Sequence, residues 1–316
     1  MTPTRATAVS ALLAALLCAG AACAQGFEVA VTVDDLPAHG QLPPGVTRLG
    51  IAESTLHTFQ QHGVTEAFGF VNAGKLAGAD AADEAKVLDA WRAAGHPLGN
   101  HTATHLGLST APSLAAWQAD VEAGEAAVAQ RMQGADWRYL RLPFLDGGGE
   151  RWPAALAYLR ARGYRVADVS ISFDDWAYTD AYARCVASGD EATISAMKNQ
   201  YLAAVDAGIA RMQAHSQRVY GRVIAQVLLT HLGGWSAVTL PDVLQRLDRA
   251  GARYVSLEKA QSDPAYAEPA GGTVIERTAR RRGIRLGEAA PVASRIDPDT
   301  VCREREHQEP VPSGKK

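Results

Sequence analysis

Four helix-like stretches end on a glycine and pass directly into a strand-like run: His62-Gly63, Ala94-Gly95, Arg162-Gly163 and Ala250-Gly251. Glycine accepts the left-handed conformation that terminates a helix, so each pair marks a helix handing the chain to a strand. Strand-like runs occupy 27–33, 67–71, 96–99, 139–142, 165–172, 223–230 and 253–256. Helical periodicity fills 47–62, 82–94, 113–132, 152–162, 194–214 and 241–250. Alternation of this kind predicts an α/β fold with parallel strands. About seven strands fit a barrel-like closure, although pattern alone does not separate a barrel from an open sheet.

The ends of the chain have a different character. Arg5 is the only charged side chain ahead of an Ala/Leu-rich run over 8–22, and Ala22-Cys23-Ala24 fits the small-x-small cleavage rule. Residues 1–24 are therefore expected to be a signal peptide, exporting the protein to the periplasm or the medium. Lipidation at Cys18 or Cys23 is a poor fit to the residues before each cysteine. No other segment is apolar enough to span a bilayer, so stable membrane insertion is not expected. The formal net charge is −3 and no basic stripe carries interleaved aromatics, which argues against nucleic acid as a partner. Cleavage would leave Cys185 and Cys302, which an oxidising compartment allows to pair; two unpaired buried cysteines are the alternative.

The folded domain is expected over residues 25–262. Within it, 179–221 is long for a connection, and Ile194, Met197, Tyr201, Val205, Ile209 and Met212 recur at helical spacing, which predicts a packed amphipathic helix. Residues 263–316 are rich in Pro, Gly and charge and are expected to form a tail over the domain, with the basic cluster 277–285 at the surface.

Chemistry gathers at the predicted strand ends. The first strand finishes in two adjacent acids, Asp34 and Asp35, which repel unless a metal, a basic group or a shared proton intervenes. Strand alternation would send their side chains to opposite faces and so to different partners. Asp-Asp-Leu-Pro is also good turn chemistry, and a helix cap or solvated turn would account for the pair taken alone. His101-Thr-Ala-Thr-His105 places two imidazoles four residues apart, on one face of a helical turn. Joined by an acid from another strand end, they make the two-His-one-carboxylate set that holds catalytic zinc. Arg141-Leu-Pro-Phe144 and Leu229-Thr-His231 end two further strands, and Asp175 follows another. Each of these residues has an ordinary explanation by itself, as a cap, a core histidine or a surface arginine. Their joint placement at one predicted rim does not.

In these motifs the chain resembles the NodB-homology polysaccharide deacetylases, carbohydrate esterase family four, from about residue 27 to about residue 266. The matching segments, in order, are Thr32-Val-Asp34-Asp35, His101-Thr-Ala-Thr-His105, Arg141-Leu-Pro143-Phe144, Ser172-Phe-Asp-Asp175-Trp176 and Leu229-Thr-His231. The resemblance implies a distorted (β/α) barrel of about seven parallel strands with a C-terminal extension. It implies a hydrolase that removes N- or O-acetyl groups from an acetylated polysaccharide by direct attack of a water on a metal. Asp34 would be the general base, and Asp35, His101 and His105 would ligate a divalent ion, Zn2+ first and Co2+ as an alternative. His231 would be the general acid, and Arg141 would orient Asp34. The backbone N–H near Phe144 would bind the oxyanion, Trp176 and Leu229 would wall the acetyl pocket, and Asp175 would lie with them on the substrate side.

Two positions depart from the family pattern. Ser172 stands where an acid usually supports the general-acid histidine, so either Asp174 or Asp175 takes that part or His231 loses its proton at lower pH. Leu36-Pro37 follows the acid pair where Gly-Pro is usual, which would reshape the groove beside His39, itself a candidate to touch substrate. His57, His62, His96, His215 and His307 are assigned to structure or surface. Ser172 also keeps open a carbohydrate-binding domain with little turnover. A third reading is an amidase for a small non-sugar amide, with 179–221 covering one end of the groove. Neither the glycan nor the oligomeric state is specified by the sequence.

Overall fold

The structure is a computed structural model and describes residues 26–287 and 296–303; the expected signal peptide and His307 lie outside these residues. Eight parallel strands make one sheet: β1 (Phe27–Leu36), β2 (Ala67–Val71), β3 (Leu98–Asn100), β4 (Tyr139–Leu140), β5 (Arg165–Val166), β6 (Ile171–Ser172), β7 (Gln226–His231) and β8 (Ala252–Tyr254). Their order is β5-β4-β3-β2-β1-β7-β6, with β8 against β1. β5 and β6 are the two ends of the single segment predicted as one strand over 165–172. Its start pairs with β4, Arg165 beside Tyr139, and its end pairs with β7, Ile171 beside Leu228. Between them Ala167 N–H donates to Leu140 O and Ser170 N–H to Val227 O. One bent segment therefore joins the two edges and curls the sheet into a distorted barrel of seven strand segments, the number expected.

β1 is the axis of the assembly. It pairs with β7 from Val29 to Asp34 on one edge. On the other edge it meets β8 at Phe27–Val29 and β2 from Val31 onward. All of its residues except Glu28 are buried, as a parallel strand covered on both faces requires.

Ten α-helices among the described residues surround the sheet: α1 (Arg48–Gln61), α2 (Ala81–Ala93), α3 (Leu114–Ala123), α4 (Glu125–Met132), α5 (Trp152–Ala161), α6 (Thr179–Ser188), α7 (Glu191–Tyr220), α8 (Gly234–Arg249), α9 (Leu257–Gln261) and α10 (Val274–Arg281). The four hand-over glycines, Gly63, Gly95, Gly163 and Gly251, all adopt positive φ, from 68° to 90°. The helix predicted over 113–132 breaks at Gly124, where a Cβ would collide with the Asn100 carboxamide. α8 starts seven residues before its predicted start and carries Pro241 inside it. Burial of Trp235, Leu240, Val243, Leu244 and Leu247 outweighs the proline's missing donor. α6 had no counterpart among the predicted elements.

The segment after residue 262 packs into the domain. Thr273 bridges Val169 of the closing segment, and α10 buries Val274, Ile275, Thr278 and Ala279. Arg277, expected at the surface, is only 7% exposed, with Nη2 2.6 Å from Asp168 Oδ2. A buried carboxylate beside the barrel draws that cation inward. Cys185 of α6 is disulfide-bonded to Cys302 across 117 residues. No helix among the described residues is long and apolar enough to cross a membrane.

Candidate active site

The loops at the C-terminal ends of β1, β3, β4, β6 and β7 open on one cavity of about 620 Å³. Asp34 and Asp35 both face it. The alternation expected of a strand fails here, because the register between β1 and β2 shifts after Val33 and Asp35 adopts φ 65°. A bulge re-aims one side chain, so the two acids share a site rather than dividing between faces. His101 Nε2 lies 3.6 Å from Asp34 Oδ2 and 3.5 Å from Asp35 Oδ1.

Arg141 fixes Asp34. Its fully buried guanidinium donates from Nη1 to both Asp34 oxygens at 2.9 and 3.1 Å, from Nη2 to Thr32 Oγ1 at 2.9 Å, and from Nε to Ala167 O at 2.7 Å. Asp34 is thereby oriented by a cation that also bonds Thr32 and Ala167.

The two histidines do not sit on a helical turn. Residues 101–105 form a loop in which Thr102 and His105 take φ 61° and 59°. Side chains of neighbouring elements hold that loop. Asn100 accepts Thr102 N–H at 2.8 Å, Asp120 accepts Thr104 N–H at 3.1 Å, and Asn72 Nδ2 donates to His101 O at 2.7 Å. His101 Nδ1 donates to Arg141 O at 2.9 Å, which leaves the Nε2 lone pair facing the cavity. His105 Nε2 is 3.6 Å from Asp35 Oδ1.

These residues fit a divalent ion. One donor atom each from Asp35, His101 and His105 lies within 4.8 Å of the others. Asp35 Oδ1 is buried and accepts no hydrogen bond among the described residues. Burial pushes both imidazoles down, His105 to about 4, so both are neutral and able to ligate. Burial pushes the Asp35 carboxyl up, but the hydrogen bond from His39 and the charge of Lys75 help hold it well below the usual carboxylate range. The two separations from Asp35 Oδ1, 3.5 Å to His101 Nε2 and 3.6 Å to His105 Nε2, are short enough for one ion to be shared.

Across the cavity, His231 Nδ1 is 2.9 Å from Asp175 Oδ1. The other Asp175 oxygen accepts from His231 N–H at 2.8 Å, Thr230 Oγ1 at 2.7 Å and Ser236 Oγ at 2.5 Å. Burial pushes His231 down, yet the charge and hydrogen bond of Asp175 outweigh it and raise the imidazole to about 9. Asp175 itself rests at about 2: burial raises it, but His231 and the two hydroxyls lower it further. Asp175 was expected beside the substrate. It is instead buried behind His231 and supplies the acid that Ser172 lacks, because the β6 turn directs it inward while Asp174, at φ 55°, lines the cavity. Phe144 and Trp176 stand at the mouth, 72% and 53% exposed, and Leu229 lies buried in the wall. Among the described residues, six of the eight non-glycine positions with positive φ belong to the rim loops: Asp35, Thr102, His105, Phe144, Leu145 and Asp174. Backbone strain is therefore concentrated where the polar groups converge.

A family model described as polysaccharide deacetylase matches residues 21–167. Over those residues the chain is similar to the polysaccharide deacetylase family. Among solved structures, the fold is similar to a chitin deacetylase from the fungal pathogen Colletotrichum lindemuthianum, at 20% identity over 75% of this chain and 88% of that one, with TM-score 0.51. It is similar to a mutant of a CE4 family pseudoenzyme from Bacillus anthracis with restored enzymatic activity, at 14% identity over 75% and 68%, TM-score 0.52. It is also similar to the catalytic domain of a peptidoglycan N-acetylglucosamine deacetylase from Eubacterium rectale, at 16% identity over 83% and 94%, TM-score 0.50. Identities this low establish the shared fold. No curated protein matches the sequence.

Outside the matched region the cavity gains residues that the motifs did not reveal. Arg211, Met212 and His215 of α7 and Ile275 and Glu276 of α10 line its far side. Met212 belongs to the stripe visible in the sequence. His215 had been assigned to structure or surface, since nothing local shows which flank of α7 meets the barrel mouth.

Proposed function

We propose that the protein removes acetyl groups from an acetylated polysaccharide, with Asp35, His101 and His105 holding a divalent metal, most simply Zn2+. The observation that carries this reading is two hydrogen-bonded pairs facing one cavity: Asp34 held by Arg141 at 2.9 Å on one side, His231 held by Asp175 at 2.9 Å on the other. When bound, the ion lowers the pKa of a water from ~15.7 toward ~7 and polarises the acyl carbonyl. Asp34 accepts the proton of the attacking water, and Arg141 keeps its oxygens turned to that task. On this reading the backbone N–H near Phe144 donates to the oxyanion. His231 gives its proton to the departing sugar nitrogen or oxygen, so the bond to the acyl carbon breaks with acetate and a neutral sugar group as products. The exposed faces of Trp176 and Phe144 offer surfaces on which a sugar ring stacks, and Leu229 takes the acetyl methyl.

Ser172 had kept a binding-only reading open; Asp175 behind His231 removes that motive. A second reading, hydrolysis at a chain end or on a small amide, is favoured by α7 and α10 walling one side of the cavity. Export is also inferred: the Cys185–Cys302 bond suits an oxidising compartment, and a secreted protein beginning at Gln25 is the expected result of N-terminal sequencing.

The test is acetate release across a panel of acetylated glycans and small acetamides with added Zn2+ or Co2+. Asp34→Asn should abolish release while retaining metal, whereas His101→Ala should lose the metal. Absence of acetate from every substrate would sink the proposal, and release from small acetamides alone would select the second reading.

A further inference from the structure

Asp35 has two oxygens in different circumstances. Oδ1 points toward His101 and His105 and has no hydrogen bond among the described residues. Oδ2 lies 2.7 Å from His39 Nδ1. An ionised carboxylate only accepts, so Nδ1 carries the proton and donates it to that oxygen.

His39 is itself held firmly. Its N–H donates to Leu232 O at 2.9 Å, and Ala38 N–H donates to Asp35 O at 2.7 Å. Arg48 grips the loop from outside, Nη1 on His39 O at 3.1 Å and Nη2 on Gly40 O at 2.7 Å. Lys75 Nζ donates to Ala38 O at 2.5 Å. Five fastenings on three consecutive residues fix the backbone that carries the ring, and the ring itself packs 4.9 Å from that of His231. That position meets only one of the two carboxylate oxygens.

We propose that His39 is a positioning residue for the metal: by occupying Asp35 Oδ2 it restricts the carboxylate to one-oxygen ligation through Oδ1. A free carboxylate beside a divalent ion swings between one-oxygen and two-oxygen binding, and the second mode takes a coordination place that a catalytic site must leave open for water. A partner on the outer oxygen removes that choice. Groups that hold a ligand in this way typically change metal affinity by ~10–100-fold when lost. His39 is not aligned with any of the five motifs, and the loop that carries it departs from the family pattern at Leu36-Pro37.

The ring also lies 4.9 Å from that of His231, so a packing role must be separated from the hydrogen bond. His39→Phe keeps a ring and removes the donor; His39→Asn removes the ring and keeps an N–H near the position of Nδ1. The inference rests on Asp35, His101 and His105 holding the metal, so His101→Ala is run alongside. Metal affinity is read by chelator competition with Zn2+, and ligand geometry by the visible absorption of the Co2+ protein. His39→Phe should weaken Zn2+ binding ~10–100-fold and lower the Co2+ band as coordination number rises, while His39→Asn should stay within about 3-fold of the parent. Parental affinity and spectrum in His39→Phe overturn the proposal, as does an Asn variant weaker than the Phe variant. If His39→Phe does not fold, His39→Ala replaces it with the same expectations. A parent that binds no metal overturns this inference and the ligand assignment together. Binding lost in His101→Ala but unchanged in His39→Phe overturns the role of His39 alone.

Discussion

His231 stays protonated because Asp175 is buried behind it, where no water shares the carboxylate's charge. If it is the proton donor proposed above, turnover should be sustained until pH rises through about 9 and fail above that. Asp175→Asn removes the charge while preserving the shape, so the alkaline limb of kcat should fall toward ~6.5, the ordinary histidine value. A pH profile of both proteins checks this, and an unmoved limb would exclude the pair as its source. The same pair bears on stability. A folded-state pKa above the unfolded one stabilises fully below ~6.5 and is lost as pH rises through about 9. Thermal melts of the parent and His231→Gln should therefore converge at the alkaline end. At this scale the sequence revealed Asp34, Asp35, His101, His105, Arg141 and His231, since each follows a strand end that patterning locates. It did not reveal that the two acids would face one cavity, because a bulge is a register event between two strands. Nor did it show which of Asp174 and Asp175 points inward.

α10 shows how an element outside the matched region supports the site. Arg277 reaches Asp168, which follows directly on Ala167, the residue whose carbonyl holds Arg141 Nε. Arg277→Ala would leave Asp168 buried without its cation, at a cost of ~3–5 kcal/mol. Chemical denaturation should show this loss, and the added change Asp168→Asn should recover part of it. On α7, Gly208 faces Phe173, and a Cβ there would lie 2.9 Å from the ring. Gly208→Ala should cost ~1–3 kcal/mol by overpacking, read in the same denaturation experiment. Helix ends were legible where glycine closed them. The start of α8 was not, since Pro241 imitates a first-turn proline, and the inward face of α10 was hidden behind a run of arginines whose burial depends on one distant acid.

Across the whole molecule, the Cys185–Cys302 bond closes a loop with 117 residues of separation. Chain entropy sets a ceiling of ~5 kcal/mol on what such a link contributes. Cys185→Ser with Cys302→Ser should lower the melting temperature, and added reductant should do the same to the parent alone. The larger consequence lies in how the ring closes. The family match stops at residue 167, where the bent segment leaves β4 and has not yet reached β7. A protein ending there would leave β1 with its edge from Val29 to Asp34 unsatisfied, an apolar template for any other strand. Fragment 25–167 should aggregate, as light scattering would show, whereas the full chain should not. During synthesis β1 is made first and completed last. Nearly 200 residues separate Asp34 from its register partner His231, so the ribosome delivers the acid pair long before the strand that encloses it.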